Sequence, residues 1–181
     1  MLITDGRTGA SAKVSQAGLV NVAAESRRIV ALAAEQGKSF SCVSGFITLT
    51  AGSEKGVLKV QFNEVPEAHL DRVVLQSDAA VRWRMYNKAT SDTFSVVRTP
   101  VNLDTATNTA LSCNMYIGDN TATIIGGSLV FAGMSNANQF LDLDLDGGFH
   151  FTPNSTLYIT AEGAATVSAN VILYDFCIDD F

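Results

Sequence analysis

From residue 39 to the end, the chain repeats one pattern: short runs of alternating apolar and small polar residues, each cut off by Gly, Asn, Asp or Ser. A period of two sends successive side chains to opposite faces of an extended backbone, so each run reads as a half-buried strand. Such strands are expected at 40–43 continued by 46–50, then at 57–62, 70–75, 80–87, 128–132, 140–145, 157–161 and 167–176. That is roughly eight, spaced as sandwiches and jelly rolls space them. The last two read as a terminal hairpin with the loop Glu162-Gly163-Ala164-Ala165. Residues 90–114, rich in Thr, Asn and Ser and holding Pro100, read as long loops around short strands.

The first part of the chain differs. Residues 1–22 are rich in Gly, Ala, Ser and Thr, bury little by themselves, and read as an arm that orders on a partner, with a short strand around Leu19, Val20 and Val22. Residues 23–36 carry the one helical composition; Ser26 suits a cap and Gly37 a stop, which predicts a helix over 28–36. The division expected is 1–38, arm and short helix, then 39–181, sandwich. The fold class is all-β: an antiparallel, jelly-roll-like β-sandwich with an N-terminal extended arm and one short helix. No internal repeat or heptad pattern is visible.

A chain of 181 residues suffices for one domain with a real core. Its net charge of -6 gives no basic footprint for nucleic acid. Arg82, Arg84 and Lys88 lie close together but between Asp78 and Asp92. No apolar run nears the ~20 residues of a membrane helix, and the N-terminus does not read as a secretory signal. Cys42, Cys113 and Cys177 are odd in number and far apart, which fits buried reduced thiols and synthesis in a cytoplasm better than a disulfide framework.

Chemical motifs are scarce. Asp142-Leu143-Asp144-Leu145-Asp146-Gly147 opens like a calcium loop, but Pro153 stands where the bidentate Glu belongs, so a strand with one wet face is the better reading. A cation shared between subunits is the alternative. His69 and His150 fall on different elements without Cys or acidic partners at ligand spacing, which predicts surface or half-buried histidines. No Gly-x-Ser-x-Gly elbow presents a nucleophile, and Gly126-Gly127 and Gly147-Gly148 lack the Lys of a phosphate loop. Trp83 and the Phe149-His150-Phe151 triplet suit a sugar platform, but core positions suit them better; Tyr86 is a further core or interface candidate. No catalytic residue, cofactor or metal ligand is assigned.

The opening Asp-Gly-Arg-Thr-Gly-Ala-Ser-Ala-Lys-Val, followed by Leu-Val after a short gap, resembles the start of virion structural proteins of tailed bacteriophages. Residues 31–50, Ala-Leu-Ala-Ala-Glu-Gln-Gly-Lys-Ser-Phe-Ser-Cys-Val-Ser-Gly-Phe-Ile-Thr-Leu-Thr, and residues 154–163, Asn-Ser-Thr-Leu-Tyr-Ile-Thr-Ala-Glu-Gly, are similar to them as well. The resemblance covers both ends of the chain and leaves its middle aside. It implies a capsid- or tail-attached sandwich, often trimeric, anchored by its arm. The expected role is a head decoration, cement or head-fibre protein on the capsid surface, partnered by the major capsid protein or another virion protein and by itself as a homotrimer, with neither nucleic acid nor membrane. Leu2, Ile3, Arg7, Lys13, Val14, Leu19 and Val20 are the candidate anchoring residues. A tail, collar or receptor-binding component is the alternative, and a carbohydrate-binding sandwich a further one. An enzyme would require paired carboxylates in a groove.

Overall fold

The computed structural model describes residues 2–4, 11–14, 20–23, 39–63, 67–104 and 113–179. Every regular element among them is a strand. Three short ones come first: β1 (Leu2–Thr4), β2 (Ser11–Val14) and β3 (Val20–Ala23). They pair antiparallel in that order, with Leu2 opposite Lys13 and Val14 opposite Val20. The helix expected over 28–36 lies outside the described residues.

The body is built from β4 (Ser39–Val43), β5 (Ile47–Leu49), β6 (Lys55–Phe62), β7 (Glu67–Ser77), β8 (Val81–Asn87), β14 (Ser128–Ser135), β15 (Phe140–Phe151), β16 (Thr156–Gly163) and β17 (Val167–Asp179). Between β8 and β14 runs an insertion holding β9 (Ser91–Asp92), β10 (Val96–Arg98), β11 (Val101–Asn102), β12 (Cys113–Ile117) and β13 (Ile124–Ile125). One sheet has the order β10-β12-β6-β16-β8-β14 and the other β11-β4-β17-β7-β15, with β5 also on β17. Leaving the insertion aside, the pairs are nested: β4 with β17, β6 with β16, β7 with β15, β8 with β14. First strand with last, second with second-last and so inward is the double Greek key of a jelly roll.

The expected strands reappear, most of them longer than their apolar runs. Residues 39–49 form one course along β17, broken where Gly45 takes a φ of 70° and Ser44 exchanges hydrogen bonds with Val171. The terminal hairpin is overturned. Strand β16 pairs with β6 and β8 in one sheet, while β17 pairs with β4, β5 and β7 in the other. Residues 164–166 therefore cross between layers. Residues 157–161 of β16 and 167–173 of β17 are mostly buried, and each strand needs a neighbour on either side, which a two-stranded hairpin does not supply. The polar stretch 90–114 also does more than loop. Its β10 and β12 extend one sheet and β11 the other, with Thr99-Pro100 turning the corner between layers.

The core lies between the sheets, with Phe40, Leu49, Leu58, Phe62, Leu70, Leu75, Trp83, Met85, Ile159 and Leu173 all but fully buried. Trp83 is core, as expected, and its indole N–H donates to Ser135 Oγ at 2.8 Å. Ser135 in turn lies 3.0 Å from Ser77 Oγ, which donates to the Ala79 carbonyl, so the buried polar chain is satisfied. Cys42 and Cys113 are free and buried, one from each sheet. A hydrogen bond between the two thiols, then burial, pushes the Cys42 thiol up. The Cys177 side chain lies outside the described set.

Candidate functional site

Three surfaces carry the residues with something left to do. The first is the outer face of the β6–β16–β8 sheet. Alternation along β6 sends Leu58 and Val60 inward and Lys59 outward, and along β16 sends Tyr158 and Thr160 to the same outer side as Lys59. The β9/β13 hairpin is tied down over them: Lys59 Nζ and Tyr158 Oη both donate to Asp92 Oδ2, at 2.8 and 3.0 Å. The ammonium also lies 4.8 Å from the centre of the Tyr116 ring. Burial by itself would raise the Asp92 carboxyl, but the Lys59 and Tyr158 donors outweigh it and hold the group below the usual carboxylate range. Burial and then the neighbouring carboxylate push the Tyr158 phenol up to about 12.

Beside it, Arg84 donates to Glu54 Oε2 at 2.5 Å and to Glu162 Oε2 at 2.9 Å, and Arg82 reaches Glu162 at 3.3 Å. The cluster of Arg82 and Arg84 is thus neutralised by glutamates distant in sequence, not by the flanking aspartates. Asp78 instead accepts from the Ser168 amide, and Asp92 holds Lys59. Tyr86, expected in a core or interface, is half-buried on this outer face, where burial and then its hydrogen bond with Glu54 push its phenol up. A cleft of about 200 Å³ opens here, lined by Glu54, Lys55, Tyr86, Thr123, Ile124 and Thr160. That is smaller than the ~300–1,000 Å³ of ordinary small-molecule sites. Glu54 and Glu162 are the converging carboxylates an enzyme would want, but both accept from the same guanidinium, and Glu54 Oε1 takes a further hydrogen bond from Thr160 at 2.5 Å.

The second surface is the pair of sheet edges. At one end β14 and β15 expose Leu129, Val130, Met134 and Phe140, the last two 67% and 64% accessible. At the opposite end β10 and β11, with the turn after β4, expose Val96, Val97, Val101, Val43 and Phe46. A shallow cleft of about 290 Å³ lies in this second edge, between Val43, Gly45, Arg98, Val101 and Met115. Among the described residues both are unpaired edges, and β14 has no charged residue in Ser128–Ser135.

The third is the N-terminal segment. Leu2 and Ile3 fall on β1, Lys13 and Val14 on β2, and Val20 on β3, so the β1–β3 meander gathers five of the seven candidate anchors into one small sheet. Arg7 and Leu19 lie outside the described residues.

The acidic run behaves as a wet strand face. Asp142 and Asp144 are exposed while Leu141, Leu143 and Leu145 pack on the core, and Arg72 forms an ion pair with Asp142. Gly126 and Gly127 adopt the positive φ expected of them, 73° and 100°. Phe151 is buried on Phe62, with ring centres 4.8 Å apart, and is no sugar platform. The histidines have the exposure expected of them, His69 half-buried and His150 exposed. They do lie on different strands, β7 and β15, but those strands pair so that His69 stands directly opposite His150, with ring centres 4.8 Å apart. No sequence signal could show this, because the pairing depends on how the jelly roll nests two strands some eighty positions apart. Among the described residues, no three side chains of metal-ligating type cluster.

No known protein family, no curated protein and no solved structure matches this chain.

Proposed function

We propose that this chain is a structural protein of a tailed-phage particle that decorates or stabilises the capsid as an oligomer, anchored through its N-terminal segment. The observation that carries the reading is the pair of apolar edges at opposite ends of the jelly roll. Two different exposed edges on one subunit favour head-to-tail contact, edge to opposite edge, and a rotation that closes makes a ring, of which a trimer is the smallest. Jelly rolls recur in viral capsid and lectin domains, although fold alone is weak evidence for a role. The resemblance at both ends of the chain supplies the phage context. The β1–β3 segment bears Leu2, Ile3, Lys13, Val14 and Val20, and with Arg7 and Leu19 it is the proposed anchor on the major capsid protein or another virion protein. A non-catalytic role is supported by the outer charged face, where Arg84 occupies both converging carboxylates and the cleft is small. The carbohydrate-binding alternative loses support, because Trp83 and Phe151 are buried.

The direct test is to label particles carrying this protein with a specific antibody and image them in negative stain. Regular labelling of the head is the expected result. Labelling confined to the tail or collar favours the alternative virion location, and particles without label overturn the proposal.

A further inference from the structure

Among the described residues Cys42 and Cys113 are free thiols, and the fold turns them toward each other. Cys42 sits on β4 opposite Leu173, and Cys113 opens β12 opposite Phe62, so the two belong to different sheets. Alternation sends both inward, Cys42 with Phe40 and Cys113 with Met115, into one cluster of the core. There the two thiols share a hydrogen bond.

The layers are held together at this point. Arg98 of β10 stands opposite Met115, and Val101 of β11 stands opposite Ser41. The short turn Thr99-Pro100 thus carries the chain from the strand beside β12 to the strand beside β4 and fixes the distance between them. Sulfurs in a hydrogen bond stand farther apart than the ~2.05 Å of a disulfide, so β4 and β12 must draw together for a bond to form. Ser41, next to Cys42, and Met115, two along from Cys113, line the same cleft of about 290 Å³, which leaves room for that movement. The members of the pair are not equivalent. Cys42 is fully buried, and the hydrogen bond and then burial hold its thiol protonated. Cys113 is 9% exposed, so it is the member that an oxidant meets first.

We propose that Cys42 and Cys113 form a redox-sensitive staple, which a small peroxide closes into a disulfide between the two sheets. The Cys113 thiolate attacks one peroxide oxygen, the O–O bond breaks, and the other oxygen leaves as hydroxide, which takes up the thiol's proton to give water. The Cys42 sulfur then attacks the sulfenic acid left on Cys113; the S–O bond breaks, the S–S bond forms, and the oxygen leaves as water with the Cys42 proton. Two thiols are oxidised and one hydrogen peroxide is reduced to two waters. The bond spans about 70 residues of sequence, whose freedom the unfolded chain then loses. A reducing medium leaves the pair as thiols, and an oxidising one sets the staple.

The test uses the full-length chain, reduced and then freed of reductant. Hydrogen peroxide is added to the folded protein, remaining thiols are blocked in denaturant with an alkylating agent, and peptides are mapped by mass spectrometry. A peptide pair linked through Cys42 and Cys113 is expected. The melting temperature should rise by roughly 5–15 °C and return to its starting value with dithiothreitol. Cys113→Ala should show neither the link nor the rise, and Cys113→Ser serves the same purpose if the alanine variant does not fold. Both thiols still free after peroxide, oxidation of either to sulfinic acid without a link, or a link through Cys177 instead, overturns the pair. A Cys42–Cys113 link that leaves the melting temperature unchanged or lowers it overturns the staple.

Discussion

At the scale of single residues, the tightest constraint is at Gly118. A Cβ there would lie 1.8 Å from the carbonyl oxygen of Gly56, a backbone atom with no rotamer to yield. The two glycines bring β12 against β6 through the Gly118 amide, which donates to the Val57 carbonyl at 2.9 Å. Gly118→Ala should cost ~3 kcal/mol or more, in the range of overpacking at sites that cannot relax. Gly45 has a positive φ but open space around it, so Gly45→Ala should cost only about 1 kcal/mol from backbone strain. Urea unfolding separates the two by midpoint at unchanged slope.

The Lys59–Asp92–Tyr158 cluster makes a prediction in pH. The Asp92 carboxyl is held below its ordinary value, so the folded chain binds that proton more weakly than the unfolded chain does. Its stabilisation is complete above the unfolded pKa of about 3.9 and disappears as pH falls through the lower folded value. Tyr158 behaves inversely. Its folded value of about 12 stands above the unfolded value of roughly 10, so its share is complete below the latter and is lost as pH rises between the two. Asp92→Asn should lower stability near neutrality by ~2–4 kcal/mol, since it leaves the Lys59 ammonium mostly buried without its counter-charge. It should also flatten both the acid and the alkaline limbs of melting temperature against pH. Unchanged limbs in the variant would show that the hairpin is held by something else.

At the scale of elements, β14 is the exposed feature without a protective device. Edge strands are ordinarily blunted by charge, proline or cover, and Ser128–Ser135 has neither a charged residue nor a proline. Its bulge, between Leu129 and Phe131, disturbs only one end. A second copy across this edge would cover Leu129 and Met134. Met134→Lys should therefore lower self-association measured by light scattering, with less than about 0.5 kcal/mol of change in subunit stability, as surface substitutions usually give. Equal association in the variant would place the interface at another face.

At the scale of the whole molecule, the 4–5 connection of the jelly roll distinguishes this chain. Instead of a tight turn between β8 and β14, an insertion travels to the far edge, adds β12 and β10 to one sheet and β11 to the other, and returns through β13. It converts a plain edge into the second apolar surface. The proposed function assigns self-assembly to the body and anchoring to the N-terminal segment, which makes the two separable. If the proposed function holds, deleting residues 1–22 should leave a folded, still oligomeric sandwich, read by circular dichroism and light scattering, that no longer binds particles. A truncated chain that decorates particles as well as the full one would place the anchor elsewhere.

Sequence by itself determined the local terms. The period of two located all eight strands of the jelly roll, because alternation is a property of each strand alone; Leu58, Val60 and Phe62 face inward whatever lies opposite. It also placed Trp83 in the core, Cys42 and Cys113 in burial, and Asp142 and Asp144 on a wet face. Pairing was a different matter. Strands β16 and β17 are neighbours in sequence and read as a hairpin, yet they belong to opposite layers. Each buries a run of apolar residues, 157–161 in one and 167–173 in the other, and that burial is completed by β6 and β8 for the first and by β4 and β7 for the second. The residues that offer chemistry follow the same rule. Glu54 meets Arg84 and Glu162, Lys59 meets Asp92, and His69 meets His150 only because nested long-range pairing brings distant strands into register. Local pattern sets which way a side chain points; which partner it then faces is decided by the burial of the whole sandwich.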